Sequence, residues 1–207
     1  MDVIALRAVL DGTLRAMPSH TDELRALDAA IGDGDLGITV SSGSTAAHEA
    51  VAALEDAADI RAVVTAAAKA FSTANPSTFA ALVGGGLLAA SRTTSDKVDL
   101  TRADAIEFGT ALADRISERG KAQLGDKTVL DALIPSLETL RAESGSGRDA
   151  LDAMIGTAQS QVDVTTGRQS AKGRASWLQE RSVGHPDPGA TAYLRFIQEL
   201  RANWMGE

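Results

Sequence analysis

Cysteine is absent from all 207 residues. Disulfides, thiolate nucleophiles and cysteine-held zinc are therefore excluded. Aromatic residues are scarce, at 3% of the chain, although apolar residues reach 44% and alanine supplies much of that share. Such a mix suits closely packed helices, because alanine has the best intrinsic helix propensity. No apolar run approaches the ~18 residues that a membrane span requires. The opening MDVIALRAVLDG contains acids and lacks the small-residue cleavage site of a signal peptide. A cytoplasmic protein without membrane contact is the expectation. Clusters of Lys and Arg large enough to grip nucleic acid are missing too, and the net charge of −8 argues against that partner. Phosphate ligands stay open, since a divalent cation can stand between an acidic site and an anion.

Period-two alternation is not sustained anywhere, so strands are not expected. Apolar residues instead recur at helical spacing, as in Val3, Leu6, Leu10 and Leu14, or Ile106, Leu112 and Ile116, or Tyr193, Leu194, Ile197 and Leu200. The breaks carry capping chemistry. Thr101 with Asp104 reads as a capping box, Asp187 before Pro188 as an N-cap followed by Pro at N1, and Asp59 and Asp149 as further caps. Pro135 falls inside a helical pattern and predicts a kink or a division into two pieces. The pattern gives about eight helices of ~15 to 20 residues, with short loops that favour antiparallel neighbours. No repeat and no dividing linker is visible, so residues 1–207 are expected to form one all-α domain.

The stretch LDAAIGDGDLGITV, residues 27 to 40, concentrates the chemistry. Gly32, Gly34 and Gly37 satisfy G-x-G-x-x-G, but no strand precedes them, and Asp33 and Asp35 would face a pyrophosphate. A calcium loop starting at Asp33 would put Gly37 at the third ligand position and Ser44 where a bidentate Glu belongs. Asp28, Asp33 and Asp35 remain as three hard oxygen donors in a turn that glycine lets bend tightly. They form either a solvated acidic turn or a Mg²⁺ site that keeps several waters and is completed by substrate phosphates.

Other stretches carry two readings each. Ser77 and Thr78, in the NPST segment, cap an alanine-rich helix or hold a phosphate at its start. Gly84, Gly85 and Gly86 inside that helix admit a close neighbour. Gly125-Asp126-Lys127-Thr128 is a loop opening a helix or part of a site. Lys172, Arg174 and Arg181 are surface charge, or one of these arginines meets a phosphate or a partner. His185 is read as structural rather than catalytic, and Trp177 and Trp204 as core or interface. Nothing matches a Walker A lysine loop.

Three segments in series resemble one family, the L subunit of dihydroxyacetone kinases, which also occurs as the C-terminal nucleotide domain of single-chain ATP-dependent enzymes. LDAAIGDGDLG resembles its L-D-x-x-I-G-D-G-D-H-G loop, GDKTVLDAL its G-D-K-T-M-L-D-A-L, and AKGRASWLQERSVGHPDPGA its K-G-R-A-S-Y-L-G-E-R-S-x-G-H-x-D-P-G-A. The resemblance covers essentially the whole chain. It implies eight antiparallel helices forming an α-barrel with the nucleotide, ADP or ATP, at one end. Two Mg²⁺ ions would bridge the phosphates to Asp28, Asp33 and Asp35. Leu36, Gly37, Ile38 and Thr39 would touch phosphate, as would Ser77 and Thr78. Gly120, Val129, Arg174, Asp187, Pro188 and Gly189 would form the adenine and ribose side.

The chain departs from the family pattern at four places. Leu36 replaces the usual His, Thr39 the usual Asn, NPST the G-G-A-S-G phosphate loop, and Val129 the Met that packs on adenine. The three metal-ligand positions are kept. The resemblance implies a phosphotransfer subunit that passes a phosphoryl group to dihydroxyacetone or a related short ketose held on a separate K-type subunit. The donor is either exchangeable ATP, which Leu36 and the altered phosphate loop favour, or a phosphotransferase-system protein that recharges bound ADP. A nucleotide-bound regulatory subunit contacting a transcription factor is the alternative.

Overall fold

The computed structural model describes residues 1–206. Among them are nine α-helices: α1 (Val3–Ala16), α2 (Thr21–Ile31), α3 (Leu36–Ala52), α4 (Ile60–Ala74), α5 (Thr78–Ala90), α6 (Arg102–Gly120), α7 (Leu130–Ala142), α8 (Gly147–Thr166) and α9 (Pro188–Ala202). Short 3₁₀ turns cover Met17–His20, Ser91–Thr94 and Arg174–Ser182. Extended pairing among the described residues is limited to one isolated bridge, Asp2 with Asp99. No helix among them is long and apolar enough to cross a membrane.

The helix starts follow the capping chemistry. Asp59 accepts from the Ala62 N–H at 2.7 Å, and Asp187 accepts from the Ala190 N–H at 2.6 Å ahead of Pro188. Thr101 and Asp104 form the reciprocal box at α6. Asp149 differs from expectation. It is the third residue of α8 and pairs with Ser146, which is the true N-cap, so the helix begins three residues earlier. Pro135 does not divide α7. It sits one turn in, where its missing N–H deprives only the Asp131 carbonyl of a helical partner.

Successive helices pack side by side, α3 on α4, α4 on α5, and so on to α9, and α9 then meets α1, which lies against α3. Eight helices thus close a ring, the expected barrel, and the 11-residue α2 packs across α3 and α9. Small residues let the staves approach. A side chain at Gly84 would collide with Ser72 of α4, and one at Gly86 would stand 2.6 Å from Leu112 of α6, so the glycine run serves packing. One apolar cluster joins α6 to α9 through Leu130, Leu133, Leu137, Met154, Leu194 and Ile197. A second holds Met17, Leu24, Leu36 and Val40 under Phe79 and Phe196.

Candidate functional site

In a ring of alternating staves, every second helix starts at the same rim. The starts of α3, α5, α7 and α9 and the ends of α2, α4, α6 and α8 share one rim here, as cross-links between them show. Thr39 Oγ1 lies 3.3 Å from Ser77 Oγ and accepts from Asn75 Nδ2 at 3.1 Å, tying α3, α4 and α5 together. The Asp187 N–H donates to Thr165 Oγ1 at 2.9 Å, tying α9 to α8. A side chain placed on Gly189 would meet the Val129 nitrogen at 3.4 Å and Phe79 at 3.5 Å, linking α9, α7 and α5. Four helix N-termini therefore bring partial positive charge to one opening, which favours an anion there.

Asp28, Asp33 and Asp35 lie on this rim. One carboxylate oxygen of each falls within 4.8 Å of the other two, the one such acidic group among the described residues. Asp28 comes from the last turn of α2, and its Oδ2 accepts from the Leu36 N–H at 3.2 Å. That bond caps α3 from outside, so Asp35, the residue before the helix, makes no capping bond of its own. Its carboxylate can turn toward the other two. Burial and the neighbouring Asp28 charge both push the Asp35 carboxyl above its usual value. The cluster already draws a cation: the Arg174 guanidinium pairs with Asp33 and lies 3.8 Å from Asp35. Three hard oxygens, partly exposed and attracting positive charge, fit Mg²⁺, which keeps several waters.

The loop's glycines have separate duties. Gly34 adopts φ +76°, the left-handed turn between Asp33 and Asp35. Gly37 is a packing residue: a side chain there would collide with the Thr21 carbonyl and stand 2.8 Å from the Arg25 nitrogen of α2. Both obstacles are backbone, so neither can swing away. Gly37→Ala should cost about 2–3 kcal/mol by overpacking. In a chain of this size that is a fall of roughly 5–10 °C in melting temperature. A melting curve unchanged within about 1 °C would show that α2 and α3 separate freely.

The remaining expected contacts divide by exposure. Ile38 is 50% exposed at the first turn of α3, whereas the Leu36 side chain is buried in the second apolar cluster. Thr39 is fully buried, and its hydroxyl belongs to the Asn75–Ser77 link. Ser77 caps α5 through the Ala80 N–H at 3.1 Å. Gly120 ends α6 beside Leu82. Pro188 is buried in the first turn of α9, and the Asp187 carboxylate serves that helix as its cap. The rim thus gathers all the expected positions, but Leu36, Thr39 and Asp187 direct their side chains inward. Trp177 is not a core residue: it is 81% exposed, on the 3₁₀ segment that carries Arg174, which leaves the interface reading. Trp204 does pack against the first cluster.

The burial of three ionisable side chains, Lys127, Asp131 and Asp187, was not legible in the sequence. Lys127 is 2% exposed, with its Nζ donating to three backbone carbonyls. Burial lowers its pKa, and the Asp187 charge opposes that shift. Burial pushes the Asp187 carboxyl up to about 7; the Ala190 N–H resists, Asp131 adds to the rise and Lys127 counters it. Asp131, fully buried, accepts from the Gly125 and Thr128 N–H groups and from Arg168 at 2.8 Å.

A helical barrel that brings an acidic trio and four helix starts to one rim has the donor groups to hold a metal ion and an anion there. The chain belongs to the DAK2 domain family, which matches residues 30–202. It is 33% identical over 185 residues, 88% of either chain, to the ADP-binding subunit DhaL of the PEP-dependent dihydroxyacetone kinase of Escherichia coli (strain K12). It is also 33% identical over 195 residues to the L-erythrulose 1-kinase of Mycolicibacterium smegmatis, spanning 93% of this chain but 34% of that one. The chain is therefore about a third as long as that relative. Its fold is similar to the dihydroxyacetone kinase from C. freundii in complex with AMP-PNP and Mg²⁺, with a TM-score of 0.75, 20% identity and coverage of 95% of this chain and 33% of that chain.

Proposed function

We propose that this chain binds an adenine nucleotide through Mg²⁺ at the Asp28–Asp33–Asp35 rim and serves as the phosphotransfer subunit of a short-ketose kinase. The observation that carries the reading is the meeting of three carboxylates with the starts of α3 and α5 at one opening. Asp28, Asp33 and Asp35 would hold two ions, and bound Mg²⁺ neutralises phosphate charge and aligns the transferring group. The first turns of α3 and α5 orient the phosphates with backbone N–H groups, which suits a chain whose Leu36 and Thr39 side chains point inward. Val129, Gly189 and Phe79 adjoin one another and would flank the nucleoside. Arg174, held on the acids, is placed to move on to a phosphate oxygen when the cations arrive.

The acceptor in this reading is dihydroxyacetone or erythrulose, bound covalently or otherwise by a separate K-type chain. Its names among the relatives support that class: a dihydroxyacetone kinase subunit and an erythrulose kinase. The test is a coupled assay with candidate K-type chains and a panel of short ketoses, run with ATP and then with phosphoenolpyruvate plus its relay proteins. Transfer is expected only with a K-type chain present, and ADP retained through gel filtration would favour the relay donor over free ATP. Tight Mg·ADP binding without transfer to any ketose would move the assignment to a regulatory subunit. The exposed Trp177 beside the rim would then be the natural partner contact.

A further inference from the structure

The segment from Arg168 to His185 crosses the rim and carries Arg174 to the acidic trio. Its middle is lightly held. Trp177 is 81% exposed, and Gly173 and Gln179 take left-handed backbone at φ +64° and +50°. Its base is held tightly, and Lys127 is at the centre of that base. The ammonium donates to the Arg168 carbonyl at 3.0 Å, the Ser182 carbonyl at 2.7 Å and the His185 carbonyl at 2.6 Å. These acceptors lie at both ends of the segment, so one side chain draws the ends together. Neighbouring bonds complete the closure: the Ser170 N–H to Ser182 Oγ at 2.9 Å, the Ala171 N–H to the Asp126 carbonyl at 3.0 Å and the Gly184 N–H to the Thr166 carbonyl at 2.8 Å.

An ammonium has three protons to give, and here all three are given to protein. Lys127 itself sits in the left-handed region, at φ +61°. A non-glycine residue keeps that conformation at a cost of order 1–3 kcal/mol unless its surroundings demand it. A lysine in a G-D-K-T loop beside a phosphate site invites a phosphate-binding role, but this one has no proton left for a ligand and is 2% exposed.

We infer that Lys127 is a positioning residue: it clamps the two ends of the 168–185 segment so that Arg174 stands over the acidic rim, and it acts on nucleotide binding through Arg174 without touching the nucleotide. The binding half of this inference rests on the function proposed above; the clamp itself rests on the three carbonyl bonds alone. Charge-assisted bonds of this kind are about twice as strong as neutral ones. Removing the ammonium also leaves three carbonyls short of a donor.

Two experiments decide it. In the unmodified protein, amine-directed acylation followed by peptide mass analysis should label Lys127 at least ~10-fold more slowly than the exposed Lys69, Lys97 and Lys121, with or without Mg·ADP. Rapid labelling, or protection that arises only with Mg·ADP, would mean a ligand-facing lysine and overturn the clamp. This arm needs no variant, so a Lys127→Met protein that fails to fold leaves the clamp open to refutation.

Calorimetry with Mg·ADP tests the route through Arg174. Lys127→Met and Arg174→Ala should each weaken binding about 10-fold, and the double variant should bind no worse than Arg174→Ala alone, within about twofold. Losses that multiply, or full affinity in Lys127→Met, would refute action through Arg174. A purely structural lysine would lower the melting temperature without this coupling. If the unmodified protein binds no Mg·ADP, the nucleotide reading and the binding half fall together, while slow Lys127 labelling still upholds the clamp.

Discussion

Asp35→Asn should remove most of the thermal stabilisation that Mg·ADP gives, while leaving the ligand-free protein at least as stable as before. The two effects have opposite signs because the same charge does both things. Without a cation, the Asp35 carboxylate is partly buried and faces Asp28, and both push its pKa up, so its ionised form strains the fold. An amide of the same shape removes that strain. With Mg·ADP, the lost charge is a lost ligand. At 100-fold over Kd, a ligand stabilises by about 2.7 kcal/mol, and a 100-fold weaker complex keeps only about 0.4 kcal/mol of that. For a chain of this size the wild-type shift is then roughly 5–10 °C and the variant's about 1 °C. Asp28→Ala should differ in kind: it loses the same binding and also orphans the Leu36 N–H that Asp28 Oδ2 accepts, at about 1 kcal/mol of ligand-free stability. An Asp35→Asn protein with an undiminished Mg·ADP shift would remove the trio from the site. Loss of helical signal would make the loop structural.

How much of this could be read from the chain depends on how local each cause is. Thr101 with Asp104 and Asp187 with Pro188 act within four residues, and both are where the sequence puts them. The GDGD turn is equally local, so the meeting of Asp28, Asp33 and Asp35 was legible from spacing. Asp149 was misjudged by one role because Ser146 and Asp149 share the same box, and either can look like its first member. The burial of Lys127 and the exposure of Trp177 were not legible for a different reason. Lysine is a surface residue by default and tryptophan a core one. What reverses both here is the 168–185 segment, which lends Lys127 its carbonyls and carries Trp177 away from the core. The pairing of Arg174 with Asp33 is likewise long-range. The GDKT motif was the one available signal that Lys127 has a particular duty, and it named no partner.

Asp187 makes the second large effect one of pH. Its carboxyl is buried, and burial holds its pKa near 7, against about 3.8 in the unfolded chain. Between those values the folded protein keeps a proton that the unfolded chain has released. Unfolding therefore releases a proton, and stability falls as pH rises from about 4 to about 7, by up to ~1.4 kcal/mol per pH unit, and levels off above. Asp187→Asn keeps an oxygen for the Ala190 N–H, since asparagine is as good an N-cap as aspartate, and it carries no charge at any pH. The variant's advantage over wild type should thus grow between pH 5 and pH 7.5 and reach several degrees in melting temperature. The difference between the two proteins isolates this group. Every other group is the same in both, and Asp104, whose pKa is held low by Lys97 and Thr101, is ionised in folded and unfolded chains throughout that window. Parallel melting curves from pH 5 to pH 7.5 would mean that Lys127 and the Ala190 N–H outweigh burial, and that Asp187 is an ordinary ionised cap. A widening gap would mean that the start of α9, on the rim that holds the acidic trio, changes charge near neutral pH.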